Sequence, residues 1–315
     1  MNFKFLFPTF RNRYLFVRDR LRKYAGNEQP HPDETVGKGI PPPPAPTSPI
    51  PTGAGRQPDG NQLTTNNKQP TIHNGLNLGT GEGDYDRMIA AYCTELIACD
   101  VNEEDLAHAR ALNAGVMNLR YEPNNALALT YPDQYFDLIV SCEVIEHVGD
   151  PAQMLREMSR VMKPGGVAIM TFPSREFPIT YDPVNRIWQV TRSESSREYA
   201  ISQGAYAFGH DYLIGSDDFR RWAREAGFEI VEFKGLSRHF VGLLEMYWTG
   251  IAQRVFKKNA RNVSEEKERK GGALRPASTK EPALVFITDG LLWLDKLLFG
   301  WTGRSVGKGV VLRKK

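Results

Sequence analysis

From residue 72 to residue 173 the chain alternates short apolar runs with stretches of helical pattern, and this alternation restricts the fold more than any other feature. Strands are predicted at residues 72–79, 95–100, 135–144 and 165–173, and helices at residues 84–93, 102–115 and 150–162. Strands that alternate with helices form a parallel sheet with helices on both faces. The predicted fold class is therefore α/β, doubly wound, with ligands bound at the carboxyl ends of the strands.

A glycine-rich segment, LNLGTGEGDYD at residues 76–86, follows the first predicted strand. Gly79, Gly81 and Gly83 would allow a ligand to approach the backbone closely, although an ordinary tight turn also uses glycine. Asp100 ends the second predicted strand, where a carboxylate can accept hydrogen bonds from both hydroxyls of a ribose. Glycine loop, helix and strand-end acid in this order predict a nucleoside-binding site.

Three motifs carry a wider similarity: LNLGTGEG, ACD and the run YPDQYFDLIVSCEVIEHVGDPAQMLREMSRVMKPGGVAIMTFPS. Together they resemble the class I S-adenosylmethionine-dependent methyltransferases, in the branch shared with quinone-biosynthesis methyltransferases, over about residues 72–235. The resemblance implies a mostly parallel, seven-stranded Rossmann-like sheet with an antiparallel final strand. The closing GKGVVLRKK is similar to that final strand. It also implies S-adenosyl-L-methionine as the cofactor.

The same resemblance implies a set of cofactor-binding residues: Asn77, Gly79, Thr80, Gly81, Gly83, Asp100, Asn125, Ala126 and Glu143. Residues 79–81 would line the methionine part, Asp100 would hold the ribose, and residues 125–126 would lie near the adenine. Glu143, just after the fourth strand, would face the cofactor and the mouth of the substrate site.

Two positions depart from the family pattern. Position 77 is usually Asp or Glu and position 125 is usually Asp, but both are Asn in this chain. An amide still accepts a hydrogen bond but carries no charge. We therefore expect Asn77→Asp to be tolerated, because it restores the usual carboxylate.

Two histidines are candidate catalytic residues. His147, in EVIEHV, lies at the mouth of the predicted cleft and could take a proton from an acceptor hydroxyl, or it could simply support its loop. His210 precedes Asp211 just before a predicted helix, where the pair could be a base with its orienting acid, a weak metal site, or a loop held by its own hydrogen bonds. We predict His147 and His210 as the catalytic candidates and no metal ion.

The region after His210 begins with a helix that Ser216 is predicted to cap. Residues 236–305 then form a long helical insertion before the final strand. Its apolar stretch ALVFITDGLLWLDKLLFGW is interrupted by Asp289, Asp295 and Lys296, which argue against a membrane-spanning helix. A lid, a helix lying on a membrane surface, or a second packed layer remain the alternatives.

The N-terminal segment, residues 1–25, carries an apolar stripe at helical spacing: Phe10, Tyr14, Val17, Leu21 and Tyr24. Arginines and Lys23 surround the stripe, a pattern typical of a helix at an anionic membrane surface. Docking on the catalytic domain or on a partner is the alternative. Residues 26–70 are rich in Pro, Gly, Asn and Thr and predict a disordered linker, which favours anchoring over docking.

Composition excludes some classes of function. A net charge of +3 is too small to indicate nucleic acid as a partner, and three cysteines without a CxxC pair indicate neither a disulfide framework nor a zinc site. Without a recognisable secretory signal, the predicted location is cytoplasmic, or peripheral at the inner membrane surface through residues 1–25 and 236–305. The predicted division of the chain is 1–25, 26–70, 71–235 for cofactor binding, 236–305 and 306–315.

The predicted function is methyl transfer from S-adenosylmethionine to an oxygen or carbon of a small-molecule or lipid-like acceptor. A non-catalytic cofactor-binding or regulatory protein of the same fold is the first alternative, because Asn77 and Asn125 lack the usual charge. A nucleotide-sugar or dinucleotide enzyme is the second.

Overall fold

The computed structural model describes residues 3–24, 72–185, 187, 213–245 and 281–315. The strands are β1 (Ile72–Leu78), β2 (Cys93–Asp100), β3 (Leu119–Pro123), β4 (Phe136–Cys142), β5 (Met162–Pro173), β6 (Phe228–Leu236) and β7 (Gly307–Lys314). The helices are α1 (Pro8–Tyr24), α2 (Asp86–Ala90), α3 (Glu103–Leu112), α4 (Pro151–Val161), α5 (Ser216–Glu225) and α6 (Val285–Phe299), with a 3-10 turn at Phe3–Leu6.

These strands form a single seven-stranded sheet in the order β3-β2-β1-β4-β5-β7-β6. The pairs among β1 to β5 are parallel, whereas β7 runs antiparallel between β5 and β6. The predicted fold class is therefore confirmed, including the antiparallel final strand. The strand order reverses between β1 and β4, so the loops that follow these two neighbours lie side by side at the carboxyl edge of the sheet.

Local sequence signals account for two of the helix starts. Asn102 accepts a hydrogen bond from the N–H of Glu104 (3.0 Å) at the start of α3, as an N-cap residue does. Asp150 accepts one from the N–H of Gln153 (2.9 Å), and Pro151 occupies the first position of α4, where its missing N–H costs nothing.

Two local predictions were wrong. The helix expected at residues 84–93 is only the five-residue α2, because the glycine loop continues through Tyr85. Ser216 does not cap α5 with its side chain: Gly215 is the N-cap residue, and Ser216 is the first helical residue. Its N–H and Oγ instead donate to the two oxygens of Glu176 (2.9 and 2.7 Å), so a distant carboxylate satisfies this helix terminus.

Hydrophobic side chains pack against both faces of the sheet. On one face, α4 and α5 bury a group that includes Met154, Leu155 and Phe219. On the other face, the buried residues of α2 are joined by Phe16, Val17 and Leu21 of α1. The N-terminal helix therefore supplies part of the layer that covers the sheet.

The structure corresponds to the docking alternative for the N-terminal helix. Val17 and Leu21, from the centre of the predicted stripe, are fully buried against the sheet. Arg20 forms an ion pair with Glu232 of β6, and Arg11 binds Glu281 and Asp289. The apolar stripe is thus used within the chain, and the described residues give no support for membrane contact through α1.

Some predictions lie outside the described residues. They include the linker at 26–70, the middle of the 236–305 insertion and His210. Among the helices that the structure describes, none is long and apolar enough to cross a bilayer.

Candidate cofactor and acceptor site

A cavity of about 560 Å³ opens at the carboxyl ends of β1, β2 and β4. With the exception of Gly83, every predicted cofactor-binding residue lines it: Asn77, Gly79, Thr80, Gly81, Asp100, Asn125, Ala126 and Glu143. The volume lies in the range that small-molecule and cofactor sites occupy. The fold therefore brings together residues that are up to 66 positions apart between Asn77 and Glu143.

The glycine loop is held by backbone hydrogen bonds and by Asp100. The N–H groups of Gly79 and Thr80 both donate to the Cys99 carbonyl (2.9 and 3.0 Å), while the N–H of Gly81 donates to Oδ2 of Asp100 (2.9 Å). Gly81 has a φ of +52°, and a Cβ built on it would meet no atom within 4 Å. The loop thus leaves open space beside the Asp100 carboxylate.

Gly83 has a different place in the fold. A Cβ at this position would come within 2.8 Å of Ala109 on α3, and the φ of +84° is unfavourable for other residues. Its carbonyl also accepts a hydrogen bond from Asn113 Nδ2 (2.9 Å). The structure places Gly83 as a packing contact between the glycine loop and α3.

A buried carboxyl group, Asp86, lies beneath the loop and was missed by sequence reasoning. It has no exposed surface and accepts hydrogen bonds from Asn77 Nδ2 (2.6 Å), Thr80 Oγ1 (2.7 Å) and the hydroxyl of Tyr121 (2.7 Å). Burial raises the pKa of Asp86, and the three donors partly oppose that shift. Position 77 lacks the carboxyl group that is usual in the family, but Asp86 of α2 brings a carboxyl group into contact with the amide of Asn77.

This contact reverses the expectation for Asn77→Asp. The substitution would replace the donor to Asp86 with a second carboxyl in a buried site, so we expect the free energy of unfolding to fall by about 1–3 kcal/mol. Combining Asn77→Asp with Asp86→Asn exchanges the two groups and should recover most of the loss. Urea denaturation of both single variants and the double variant measures the coupling.

Strictly additive losses in that cycle would contradict a direct Asn77–Asp86 contact. Thr80→Val serves as a matched comparison, because it removes another donor to Asp86 without adding charge.

The N-terminal segment closes one side of the cavity. Lys4, one of the lining residues, pairs with Glu82 (2.5 Å) and Asp84 (2.6 Å) of the glycine loop. On α1, the ring of Tyr14 lies 5.8 Å from that of Tyr85, another lining residue. These contacts join positions more than 70 residues apart, so no local sequence pattern could have predicted them. The acidic residues of GEGDYD indicated only that a cation could bind there, not which cation.

Glu143 connects α1 to the end of β4. Its backbone adopts a φ of +57°, an uncommon conformation for a residue other than glycine, and its Oε2 accepts a hydrogen bond from Arg13 Nη1 (2.5 Å). Such strained residues often occur at binding sites, where the surrounding structure holds them. Arg13 and Glu143 are each about three-quarters buried, with 25% of the side chain exposed.

A second cavity, of about 390 Å³, lies next to the first and shares Glu143 and His147 with it. Arg13, Glu146 and Glu245 are among its other lining residues. Burial raises the pKa of Glu146 well above its usual value, and burial also raises the pKa of Glu245. The second cavity is therefore lined by carboxyl groups whose burial works against their ionisation.

His147 is accessible at the wall between the cavities. Its side chain is 44% exposed, its backbone N–H donates to the Val144 carbonyl (2.9 Å), and its Nε2 lies 3.9 Å from Glu146 Oε1. Asn125 also lines the first cavity, but its Oδ1 already accepts the N–H of Leu127 (2.9 Å).

Comparison with known proteins agrees with this geometry. The family model described as "Methyltransferase domain" matches residues 76–170. The ubiquinone/menaquinone biosynthesis C-methyltransferase UbiE of Pasteurella multocida is 31% identical over 195 residues, which cover 56% of this chain and 69% of UbiE. The chain belongs to the class I S-adenosylmethionine-dependent methyltransferases.

Other relatives of this methyltransferase match over less of their length. A ubiquinone biosynthesis O-methyltransferase of Pseudomonas aeruginosa is 29% identical, over 51% of this chain and 67% of the relative. A protein of Mycolicibacterium smegmatis named "Probable S-adenosylmethionine-dependent methyltransferase" is 38% identical, over 34% of this chain. The match spans only 40% of that relative's own length.

S-adenosyl-L-methionine is the methyl donor of this family, and the first cavity offers suitable groups for it. The Asp100 carboxylate accepts only two backbone hydrogen bonds among the described residues, from Gly81 and Asn102, and has further lone pairs for hydroxyl donors. A Cβ at Gly81 would point into open space, with no atom within 4 Å. In this methyltransferase the Asp100 carboxylate, as an acceptor, and the open space beside Gly81 therefore fit a nucleoside with vicinal hydroxyls.

Proposed function

We propose that this protein transfers a methyl group from S-adenosylmethionine to an oxygen or carbon atom of a small-molecule or lipid-like acceptor. The observation that carries the proposal is that two cavities adjoin at the end of β4. Glu143 and His147 line both the glycine-loop cavity and the second cavity. A donor held in the first cavity and an acceptor held in the second would meet at these two side chains.

In this proposal the residues of the first cavity bind and orient the cofactor. When bound, S-adenosylmethionine supplies a methyl group on a positively charged sulfur, which a nucleophile can attack directly. Asp100 holds the ribose in this proposal, and the backbone of residues 79–81 surrounds the methionine part. Glu143 is fixed by Arg13, so its carboxylate keeps one position at the junction. Alignment of donor and acceptor by such fixed groups provides most of the rate in a direct displacement.

In this proposal His147 receives a proton from an oxygen acceptor. A neutral imidazole is a suitable base near neutral pH, and its partial exposure at the junction permits contact with a ligand in either cavity. A carbon acceptor would need the same proton acceptor after the methyl group is transferred. Relatives are named for O-methylation and for C-methylation, so the proposal keeps both atoms.

Titration calorimetry on the full chain tests the cofactor. We expect micromolar binding of S-adenosylmethionine and of S-adenosylhomocysteine, because the Asp100 carboxylate and the loop provide a ribose site, and no comparable binding of NAD. Tighter binding of NAD would instead indicate a dinucleotide enzyme.

A methyl-release assay in extracts of the source cells distinguishes an enzyme from a non-catalytic binding protein, with His147→Ala as the matched variant. We expect turnover to fall about 100-fold in the variant while affinity for S-adenosylhomocysteine is nearly unchanged. A decrease below threefold would assign His147 a supporting role. Cofactor binding without any methyl transfer by the wild type would favour the non-catalytic alternative.

A further inference from the structure

Helix α6 is oriented opposite to an ordinary surface helix. Its buried residues are Thr288 and Asp295, both polar and seven positions apart, on one face. Surface helices normally turn the apolar face inward and the polar face to solvent. The inward face of α6 thus carries polar groups, and five of its large apolar side chains are exposed: Phe286, Ile287, Trp293, Leu297 and Leu298.

Polar contacts hold the inward face in place. Asp295 accepts backbone hydrogen bonds from the N–H groups of Arg238 (2.6 Å), Phe240 (2.9 Å) and Val241 (3.1 Å). Asp289 forms a paired contact with the guanidinium of Arg11, at 2.9 and 3.0 Å. These contacts fix the orientation of α6 about its own axis. The opposite face of the helix is therefore directed to the outside by the fold itself.

The outward face carries exposed apolar side chains. We call it the α6 apolar face, and it consists of Phe286, Ile287, Trp293, Leu297, Leu298 and Trp301. Phe286, Trp293, Leu297 and Trp301 follow the spacing i, i+7, i+11 and i+15, which places them along one line on the helix and its extension. Trp293 is 64% exposed and Trp301 is 84% exposed. Large apolar side chains exposed together on one helix usually mark a contact with another apolar surface.

The charges around this face indicate which surface it contacts. Of the two acidic groups of α6, Asp295 is buried, and Asp289, with 41% of its side chain exposed, is neutralised by an ion pair with Arg11. Lys296, on α6 itself, and Arg304, five residues after the end of the helix, are exposed. Tryptophan and aliphatic residues on one side with cations at the border are typical of a helix that lies in the interface of an anionic bilayer.

We propose that the α6 apolar face lies on an anionic lipid surface and inserts its aromatic and aliphatic side chains between the lipid headgroups. The helix would lie parallel to the surface, consistent with its length of 15 residues and with the inward polar contacts. This proposal does not depend on methyl transfer, because it concerns a surface separate from both cavities.

Flotation of the full chain with liposomes tests the proposal. We expect the wild type to float with vesicles of phosphatidylglycerol and phosphatidylcholine in equal parts, and less with phosphatidylcholine alone. The double variant Trp293→Ser/Leu297→Ser should reduce partitioning at least tenfold. Both side chains are largely exposed, so affinity for S-adenosylhomocysteine, measured in parallel, should stay unchanged.

A control variant, Met117→Ser, removes an exposed apolar side chain from the loop between α3 and β3 and should float like the wild type. Equal flotation of the wild type and the α6 variant would overturn the proposal and indicate another membrane contact, such as residues 1–25. Absence of flotation in the wild type would also overturn it. If the wild type were then a dimer that the α6 variant converts to a monomer, a second copy of the chain would be the occupant of the face.

Discussion

Replacing Asp100 with Ala is expected to weaken the binding of S-adenosylmethionine by about 2–3 kcal/mol, or about 30- to 150-fold in Kd. Two effects contribute to the loss. The ribose hydroxyls would lose a charged hydrogen-bond acceptor, and the N–H of Gly81 would lose the partner that orders the glycine loop at 2.9 Å. Titration calorimetry with S-adenosylhomocysteine measures the change without interference from turnover.

Two control variants separate these contributions. Asp100→Asn keeps one carbonyl oxygen for Gly81 or the ribose and should lose less affinity than Asp100→Ala. Glu122→Ala removes a carboxylate near the end of the adjacent strand β3, outside the lining of the cavity, and should bind the cofactor normally. Normal binding by Asp100→Ala would show that the ribose is held elsewhere.

Replacing Val17 with Asp is expected to lower the free energy of unfolding by about 3 kcal/mol or more. Val17 is fully buried in the apolar cluster between α1 and the sheet, and no described residue of that cluster offers a cation to a carboxylate, since its buried members are all hydrophobic. The helix would have to detach or carry a buried charge, and detachment would expose the apolar face of the sheet. Urea denaturation monitored by circular dichroism measures the loss.

The exposed neighbour Arg22 provides the matched control on the same helix. Arg22→Asp changes the charge further but lies outside the packed face, so its effect should stay within about 0.5 kcal/mol. If Val17→Asp left the unfolding midpoint unchanged and affected only flotation with liposomes, the N-terminal helix would be a membrane anchor, contrary to the docked position in the structure.

The sheet and its ligand edge could be predicted because their signals are local. Apolar runs such as 95–100 and 135–144, separated by helical stretches, are short-range patterns, and each predicts its own element before any tertiary contact forms. The position of Asp100 at a strand end follows from the same pattern. For the described residues, eight of the nine predicted cofactor-binding positions accordingly line one cavity.

Side-chain partners could not be predicted in the same way. Asn77 looked like a departure from the family pattern, and only the fold brings Asp86 within 2.6 Å of its amide. Gly83 looked like a ligand-facing glycine, but it packs on α3. In both cases the deciding neighbour belongs to a different element, and the free energy of the contact depends on a distance that sequence spacing does not specify.

The amphipathic helices show the same division most clearly. Sequence alone determined that α1 has an apolar stripe and that α6 is apolar with interrupting charges, since periodicity and composition are properties of the helix itself. Only the tertiary structure decided which surface each face meets. Val17 and Leu21 of the α1 stripe are buried because they cover a sheet face together with α2. Helix α6 turns Asp295 inward because the backbone N–H groups of Arg238, Phe240 and Val241 are there to receive it. A helix turns inward the face whose groups find partners, and those partners are known only when the rest of the chain is in place.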